Sequence, residues 1–268
     1  MSEFLGITRE RIFSPGKIAA DRAILEAVAE VLRQRGHGVR VVSAEETLPT
    51  PRRGTTVFTM SQGDDALIAL NRWEAHGIRV VNSVDAIRNC HRHRMAPRLH
   101  DAGVATPATI IVDRTSLDAW PEWLERDGAW IKRGDVHATE PDDVVFVRDA
   151  EAARAALAGF RHRSIARAAV QRHVPGTVIK FYATVSGFLW WRPSDGGAIA
   201  LSPDQVDELS NLAHAGARAL GLEVFGGDCV VDMTERLQLI DINDWPSYAS
   251  CRVAAAGAIA THLETRTN

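Results

Sequence analysis

The chain has 268 residues and a formal net charge of −3, and it is long enough to bury a large core. This weakly acidic balance gives no electrostatic reason to expect a nucleic-acid or membrane partner. Its cysteines, Cys90, Cys229 and Cys251, lie far apart without a CxxC pair, which argues against a disulfide framework or a structural zinc site. Without a signal-peptide pattern or an apolar run of the ~20 residues that a membrane span needs, we expect a cytoplasmic protein.

The first part of the chain alternates between strand and helix patterns. We predict strands at residues 4–7, 39–42, 56–60 and 78–81, and helices at residues 17–35 and 64–76. This order indicates a small open parallel sheet in a first domain of residues 1–85. Such sheets bind ligands beyond the carboxyl ends of their strands, so the segments 14–17 and 61–63 are either ligand contacts or ordinary turns.

The rest of the chain mixes helices with hairpins, which predicts an α+β arrangement. Residues 82–89 are expected to form a short connector and residues 133–143 a polar loop. The expected helices are 91–101, 115–126, 149–160, 203–220 and 250–263, and the expected strands are 108–112, 129–132, 144–147, 168–174, 178–185 and 188–191.

Residues 226–248, GGDCVVDMTERLQLIDINDWPSY, have the pattern of a β-hairpin around the polar turn 233–236. If the hairpin is symmetric about that turn, Asp228 lies across from Asp241, with Cβ atoms roughly 4.5–5.5 Å apart. Asn243 follows on the same strand face. Two carboxylates and an amide oxygen on one face suit Mg²⁺, although a solvated polar sheet edge would carry the same residues.

Lysine is rare in this arginine-rich chain and occurs only at Lys17, Lys132 and Lys180. Lys132 ends a predicted strand, directly before the polar loop, and Lys180 lies within a strand that follows AVQRHVPG. Lysine supplies a compact point charge where arginine supplies a planar fork. A lysine retained in such a chain is therefore a candidate for a chemical role.

These features, in this order, resemble the ATP-grasp superfamily over nearly the whole chain. The segment DCVVD…LIDIN-DWPSY is similar to that family's metal-binding strand pair, in the DINxxPxY form of inositol-polyphosphate kinases and the ExNxxPG form of RimK-like ligases. The connector VVNSVDAIRNCHRHRMAPRLHDAGVATPATIIV resembles the passage into the lid-like subdomain. The resemblance implies an α/β plus α+β architecture, with an N-terminal parallel-sheet domain at 1–85 and an ATP-grasp region at 86–268. Within that region it implies a lid-like subdomain at about 104–174 and a catalytic subdomain at about 175–268.

The resemblance also implies cofactors and residue roles. ATP and one to three Mg²⁺ ions are the expected cofactors, with Mn²⁺ as a substitute. Lys132 and Lys180 match the two lysines that touch the phosphates, and the metal ligands match Asp228, Asp241 and Asn243. The hinge that reads the adenine edge, mostly through main chain, matches Gln171, Arg172, His173 and Val174, unless these residues form an ordinary strand.

The sequence departs from the family pattern at several positions. Where many relatives have a lysine at the start of the lid helix, this chain offers Arg92 and Arg94, and either could reach the phosphates. The phosphate-covering loop contains His137, which either binds a phosphate or the substrate or is a solvated loop residue. Ser247 stands where relatives often have glycine, which changes the expected shape of the acceptor pocket.

The resemblance implies an ATP-dependent ligase that joins a carboxylate to an amine or similar nucleophile through an acyl phosphate. Catalytic roles fall to Lys132, Lys180 and Arg252, the last of which suits a carboxylate through bidentate hydrogen bonds. Tyr248 is a further candidate for contact with the substrate. The expected partners are ATP and a small-molecule or peptide carboxylate, and a homodimer is left open. Two alternatives remain, namely an inositol-phosphate-like small-molecule kinase and an ATP-binding regulatory module without turnover.

Overall fold

The computed structural model describes residues 1–113, 117, 119–136, 140–197 and 199–265, which contain three four-stranded sheets. The N-terminal elements are β1 (Glu3–Ile7), α1 (Ile18–Gln34), β2 (Gly38–Val42), β3 (Thr56–Thr59), α2 (Asp64–Ala75) and β4 (Arg79–Val81). Their sheet is parallel, in the order β2-β1-β3-β4. Successive residues of β1 point to opposite faces, so Phe4 packs with α1 and Leu5 with α2. Helices on both faces are the arrangement that a parallel sheet requires.

Two short helices connect this sheet to the rest of the chain, namely α3 (Val84–Asn89) and α4 (Arg92–Asp101). The prediction of a connector at residues 82–89 is therefore wrong. Ser83 caps α3, because its Oγ accepts a hydrogen bond from the N–H of Ala86 at 3.2 Å. Val84, Ala86 and Ile87 are buried, so tertiary packing stabilises a helix that is too short to form alone.

The middle sheet is antiparallel and is covered by helices. Its elements are β5 (Thr109–Asp113), α5 (Trp123–Asp127), β6 (Ala129–Arg133), β7 (Val144–Val147), α6 (Ala150–His162) and β8 (Arg167–Arg172), with the strand order β5-β8-β6-β7. The helix predicted at 115–126 is wrong at 117 and 119–122, while 114–116 and 118 lie outside the described residues. Pro121 accounts for the late start, because proline disfavours helical backbone at the residue before it.

The C-terminal sheet is also antiparallel. Its elements are β9 (Gly176–Thr184), β10 (Leu189–Pro193), α7 (Pro203–Leu220), β11 (Val224–Asp232), β12 (Leu237–Asp244) and α8 (Arg252–Thr265), with the strand order β10-β9-β11-β12. Helix α7 covers one face, where Leu209 and Ala213 pack with Ile179 and Phe181 of β9. Helix α8 packs against α1, so the last helix of the chain joins the N-terminal sheet. On the opposite face of the C-terminal sheet, Tyr182 of β9 packs with Tyr248 in the cluster that contains α1 and α8.

The predicted combination of a parallel α/β sheet with α+β sheets is confirmed. The domain boundary at residue 85 and the subdomain limits stay predictions. Within the described ranges, no helix has the length and apolar character needed to cross a bilayer.

Candidate active site

A row of four charged side chains crosses the C-terminal sheet from edge to edge. Arg192 of β10 faces Lys180 of β9, which faces Asp228 of β11, which in turn faces Asp241 of β12. Residues that face each other across antiparallel strands point to the same side of the sheet. The neighbouring residue Phe181 points into the core beneath α7, so this charge row lies on the opposite face.

The predicted pairing of Asp228 with Asp241 is confirmed, but the register that produces it differs from the predicted one. Next to the turn, Val231 faces Leu237, which is one residue nearer the turn than the partner that a symmetric hairpin would give to Val231. A β-bulge beside Asp228 then leaves Ile240 between two pairs, without a facing residue on β11, and brings the two aspartates opposite each other. Bulges are common next to active sites, because they redirect side chains.

Both aspartates of the charge row are paired with cations. Lys180 Nζ donates to Asp228 Oδ1 at 2.7 Å, and Arg92 Nη2 donates to Asp241 Oδ2 at 2.5 Å. Arg92 is the first residue of α4, and its Nη1 also donates to the main-chain oxygen of Arg133 at 3.1 Å. Of the two candidate arginines, Arg92 therefore lies at the charge row, and a phosphate contact by Arg94 stays a prediction.

Lys132 reaches the same region from the end of β6 and is only 6% exposed. Its Nζ donates to Gln171 Oε1 at 2.7 Å, and Gln171 Nε2 donates to the main-chain oxygen of Ile240 at 3.2 Å. The bulged residue thus links the middle sheet to the charge row. Burial lowers the pKa of Lys132 to about 8, since the nearby carboxylates of Asp241 and Asp228 only partly offset the loss of water.

Asp228, Asp241 and Asn243 form the candidate metal site. Asn243 faces Gly226 and lies two residues from Asp241, so its amide is on the same side of the sheet. Across the described ranges, no three His, Cys, Asp or Glu side chains come together as a ready metal cluster. An ion here would take these three oxygens together with oxygens of a ligand, which is how Mg²⁺ is bound beside phosphates.

Two clefts meet at the charge row. The apolar cleft, of about 460 Å³, lies between the middle and C-terminal sheets and is lined by Val144, Val174, Val178, Val230 and Ile240, with Lys132 and Gln171. The polar cleft, of about 500 Å³, lies between the N-terminal and C-terminal sheets and is lined by Arg9, Asp21, Gln62, Arg92, Arg192, Asn243 and Asp244, among others. Lys180 and Asp228 line both clefts. A molecule in one cleft can therefore meet a molecule in the other at these two side chains.

The predicted hinge residues border the apolar cleft, but two of their side chains are held by the middle sheet. Arg172 Nε donates to Asp127 Oδ2 at 2.7 Å. His173 Nδ1 accepts from Trp130 Nε1 at 3.2 Å, and its ring packs edge-on against Phe146. The main-chain N–H groups of Arg172 and His173 also donate to carbonyls of the middle sheet, those of Ala108 and Gly128.

Three further predicted contacts have different outcomes in the structure. His137 lies outside the described residues. Arg252 begins α8 and is not among the described residues that line either cleft, so its catalytic role stays a prediction. Tyr248 is fully buried, and its hydroxyl contacts the main-chain oxygens of Ala183 and Phe225 at 3.0 and 2.9 Å. The expectation that Tyr248 contacts substrate is therefore wrong, because this residue anchors the loop after β12.

Sequence reasoning missed three residues of the polar cleft, namely Arg9, Asp21 and Asp244. Arg9 follows the carboxyl end of β1, a position where parallel sheets place ligand contacts. Asp244 directly follows the candidate metal ligand Asn243. The sequence positions of Arg9 and Asp244 could therefore have indicated a role in the site. No local pattern distinguishes Asp21 in the first turn of α1.

Neither a protein-family model nor a curated protein matches the sequence, but solved structures match the fold. D-alanine–D-alanine ligase from Bacillus anthracis in complex with ATP matches 99% of this chain and 95% of its own, with a TM-score of 0.73 and 12% identity. A RimK-domain ATP-grasp protein from Sphaerobacter thermophilus matches 97% and 99%, with a TM-score of 0.70 and 19% identity. The ATP-grasp ligase PsnB, complexed with the precursor peptide PsnA2 and AMPPNP, matches 100% and 98%, with a TM-score of 0.68 and 18% identity.

The chain therefore has the ATP-grasp fold, and it has this fold over its whole length. Within the fold, its similarity extends to a RimK-domain protein, as the sequence resemblance predicted.

Proposed function

We propose that the chain is an ATP- and Mg²⁺-dependent ligase that joins a carboxylate to an amine. The observation that carries this proposal is the charge row, which stands between an apolar and a polar cleft, with Lys132 beside it. A carboxylate oxygen of the first substrate attacks the γ-phosphorus of ATP, and ADP leaves. The amine then attacks the acyl carbon, and the phosphate leaves with one proton from the amine.

The apolar cleft suits the base of ATP, with the phosphates pointing towards the charge row. Because the N–H groups of Arg172 and His173 are used within the middle sheet, main-chain recognition of the base falls to Val174. Lys132 and Lys180 approach the phosphates from two different sheets. Lys132 gains most from a phosphate, since its hydrogen-bond partner in the protein, Gln171, carries no charge.

Asp228, Asp241 and Asn243 would hold Mg²⁺ at the polar end of the phosphates. The bound ion would neutralise the charge of the transferred phosphoryl group. Lys180 and Arg92, which neutralise the two aspartates in the protein, are then available to the phosphates and to the acyl phosphate. The metal and the nucleotide thus bind together rather than independently.

A small-molecule kinase of the inositol-phosphate type is the weaker alternative. Its acceptor would carry several negative charges and would require a strongly basic pocket. The polar cleft instead places the buried carboxylates of Asp21 and Asp244 beside Arg9. The neighbours of known structure that are named as ligases also support the ligase function. A regulatory module without turnover would bind ATP and form no ADP with any substrate.

Reversal of the first half-reaction tests the proposal without knowledge of the natural substrate. Wild-type protein is mixed with Mg²⁺, ADP and a small acyl phosphate, namely acetyl or carbamoyl phosphate, and ATP formation is measured. We expect ATP from the wild type and from Glu235→Gln, a matched control in the turn of the same hairpin, but not from Asp241→Asn. In the forward direction, ATP, a panel of carboxylates and hydroxylamine should yield a hydroxamate with ADP. With a panel of alcohols and inositol phosphates in place of the carboxylates, a stable phosphorylated alcohol would instead identify a kinase.

A further inference from the structure

Asp21 is a buried carboxylate in the wall of the polar cleft and is only 3% exposed. One of its oxygens, Oδ2, accepts hydrogen bonds from Ser14 Oγ at 2.8 Å and from Arg9 Nη1 at 3.4 Å. The other oxygen, Oδ1, is buried and has no hydrogen-bond partner within the described part of the chain. A buried carboxylate oxygen without a donor is unfavourable, so this position calls for a ligand that donates a hydrogen bond.

Arg9 offsets the charge of Asp21 only in part, because its guanidinium is divided among several acceptors. Its Nε donates to the main-chain oxygen of Met60 at 3.1 Å, and its Nη2 donates to that of Trp245 at 2.9 Å. The contact with Asp21 is longer, at 3.4 Å. Arg9 therefore mainly ties the loop after β12 to the N-terminal sheet.

A second buried carboxylate, that of Asp244, lies in the same wall and accepts from Gln62 Nε2 at 3.2 Å. Arg9, whose side chain is 12% exposed, contacts the carboxylate of Asp21 and, through Nη2, the main-chain oxygen of Asp244 at 3.4 Å. Lys17 lines the cleft as well, but it is exposed, so water and salt screen its charge. Two aspartates and one arginine thus lie together in this part of the wall.

This wall faces a ligand space whose other side is basic, since Arg192, Lys180 and Arg92 line the same cleft. The candidate metal site is in the charge row, at Asp228, Asp241 and Asn243, whereas Asp21 belongs to α1 and has Ser14 and Arg9 as its partners. A small organic cation with N–H donors fits both the charge and the missing hydrogen bond.

We propose that Asp21 binds the ammonium group of the acceptor substrate before this group loses one proton to water and attacks as the neutral amine, which makes that substrate a cationic amine. This inference rests on the proposed ligase function and adds the chemical class of the second substrate. An alkylammonium carries three donors and a unit charge, so one donor reaches Oδ1 while the charge offsets the carboxylate of Asp21. A neutral hydroxyl would supply the hydrogen bond but not the charge. Asp21 is thus a specificity-determining residue rather than part of the phosphoryl-transfer machinery.

Calorimetric titration of the full chain, loaded with Mg²⁺ and AMPPNP, tests the charge preference of this subsite. The probes are amino-acid amides, which are cationic, and the matching N-acetyl amino-acid amides, which are neutral. We expect at least one cationic amide to bind about tenfold or more tightly than its neutral counterpart, in line with a charge-assisted hydrogen bond. Lysine amide with an acetylated α-amine separates a side-chain ammonium from an α-ammonium.

Asp21→Asn keeps the shape of the side chain and should abolish the preference for the cationic probe. Glu26→Gln removes the same charge from the same helix, where Glu26 pairs with Arg22, and should retain the preference. A cationic preference that persists in Asp21→Asn would overturn the proposal, as would equal binding of cationic and neutral probes to the wild type. If Asp21→Asn does not fold, the comparison in the wild type still decides for or against a cationic subsite.

The test separates this inference from the proposed function. Asp21→Asn should still form ATP from acetyl phosphate and Mg·ADP, because this half-reaction involves no amine. Absence of ATP formation in the wild type would refute the ligase function, whereas the charge preference in calorimetry is measured without turnover. A wild type that forms ATP but shows no cationic preference would refute the amine subsite alone.

Discussion

Replacing Lys132 with methionine, which is similar in length but uncharged, should stabilise the protein at neutral pH. Burial lowers the pKa of Lys132 from 10.5 to about 8. At ~1.4 kcal/mol per pKa unit, the charged lysine reduces the unfolding free energy by roughly 3 kcal/mol below pH 8. Methionine removes this penalty but leaves Gln171 Oε1 without a donor, at a cost of ~1–2 kcal/mol. We expect a net gain of ~1–2 kcal/mol, or about 2–4 °C in unfolding temperature per kcal/mol.

The change of the stability difference with pH provides a second test of this prediction. Because the folded pKa of Lys132 lies below the unfolded one, unfolding takes up a proton between about pH 8 and 10.5, and the wild type gains stability across that window. The methionine variant lacks this gain of ~1.4 kcal/mol per pH unit, so its advantage should shrink above about pH 8 and reverse at roughly pH 9. Urea unfolding in EDTA without added nucleotide measures both proteins, with the exposed Lys17→Met as a control that should not change. A stability difference that does not vary with pH, or a variant weaker than wild type at pH 7, would refute the reasoning.

Five further changes test the site and its scaffold. Asp241→Asn and Lys132→Ala should each lower ATP turnover by orders of magnitude and leave the circular dichroism spectrum intact; near-normal ADP formation in either variant would contradict the assigned roles. Mg²⁺ should raise the affinity for AMPPNP, and calorimetry that shows equal affinity in EDTA would count against the metal ligands. Arg92→Met should destabilise the protein by roughly 3 kcal/mol in urea, because it removes the cation that neutralises a buried carboxylate. Tyr248→Phe should reduce the unfolding free energy by ~1–3 kcal/mol without a change in nucleotide affinity, since the hydroxyl is hydrogen-bonded to the main-chain oxygens of Ala183 and Phe225.

The hairpin shows how far the sequence determines the site. The apolar runs and the polar turn predicted the pairing of Asp228 with Asp241, and the rarity of lysine indicated Lys132 and Lys180 as candidates for a chemical role. The bulge at Ile240 was not predictable, because an isoleucine fits an apolar strand pattern whether or not it has a partner. This bulge shifts the register so that Asp228 faces Asp241, and the main-chain oxygen of Ile240 accepts the hydrogen bond of Gln171 Nε2. The correct pairing was therefore reached through a register that the hairpin does not have.

Residues of the polar cleft were missed for a different reason. Arg9 contacts Asp21, 12 positions away, and the main-chain oxygen of Trp245, 236 positions away, so its role depends on how the N-terminal and C-terminal sheets meet. No periodicity or spacing within either segment reports such a contact. The helix α3 escaped prediction on similar grounds, since its stability comes from burial of Val84 and Ile87 rather than from its own length.

The charge row also explains why removing different cations should have opposite effects on stability. Lys180 and Arg92 are each hydrogen-bonded to a carboxylate, so Asp228 and Asp241 are neutralised by the protein itself. In the proposed ligase, Mg²⁺ binds the two aspartates while the phosphates bind Lys180 and Arg92. Each charge thus exchanges one partner of opposite sign for another, and none is left buried without a partner. Lys132 differs because its partner is the neutral amide of Gln171, and its charge is fully compensated only by a phosphate. We therefore expect the protein to lose stability when Arg92 is removed and to gain stability when Lys132 is removed. The first result would show that the fold requires the charge of Arg92, and the second that the charge of Lys132 serves ligand binding at a cost in stability.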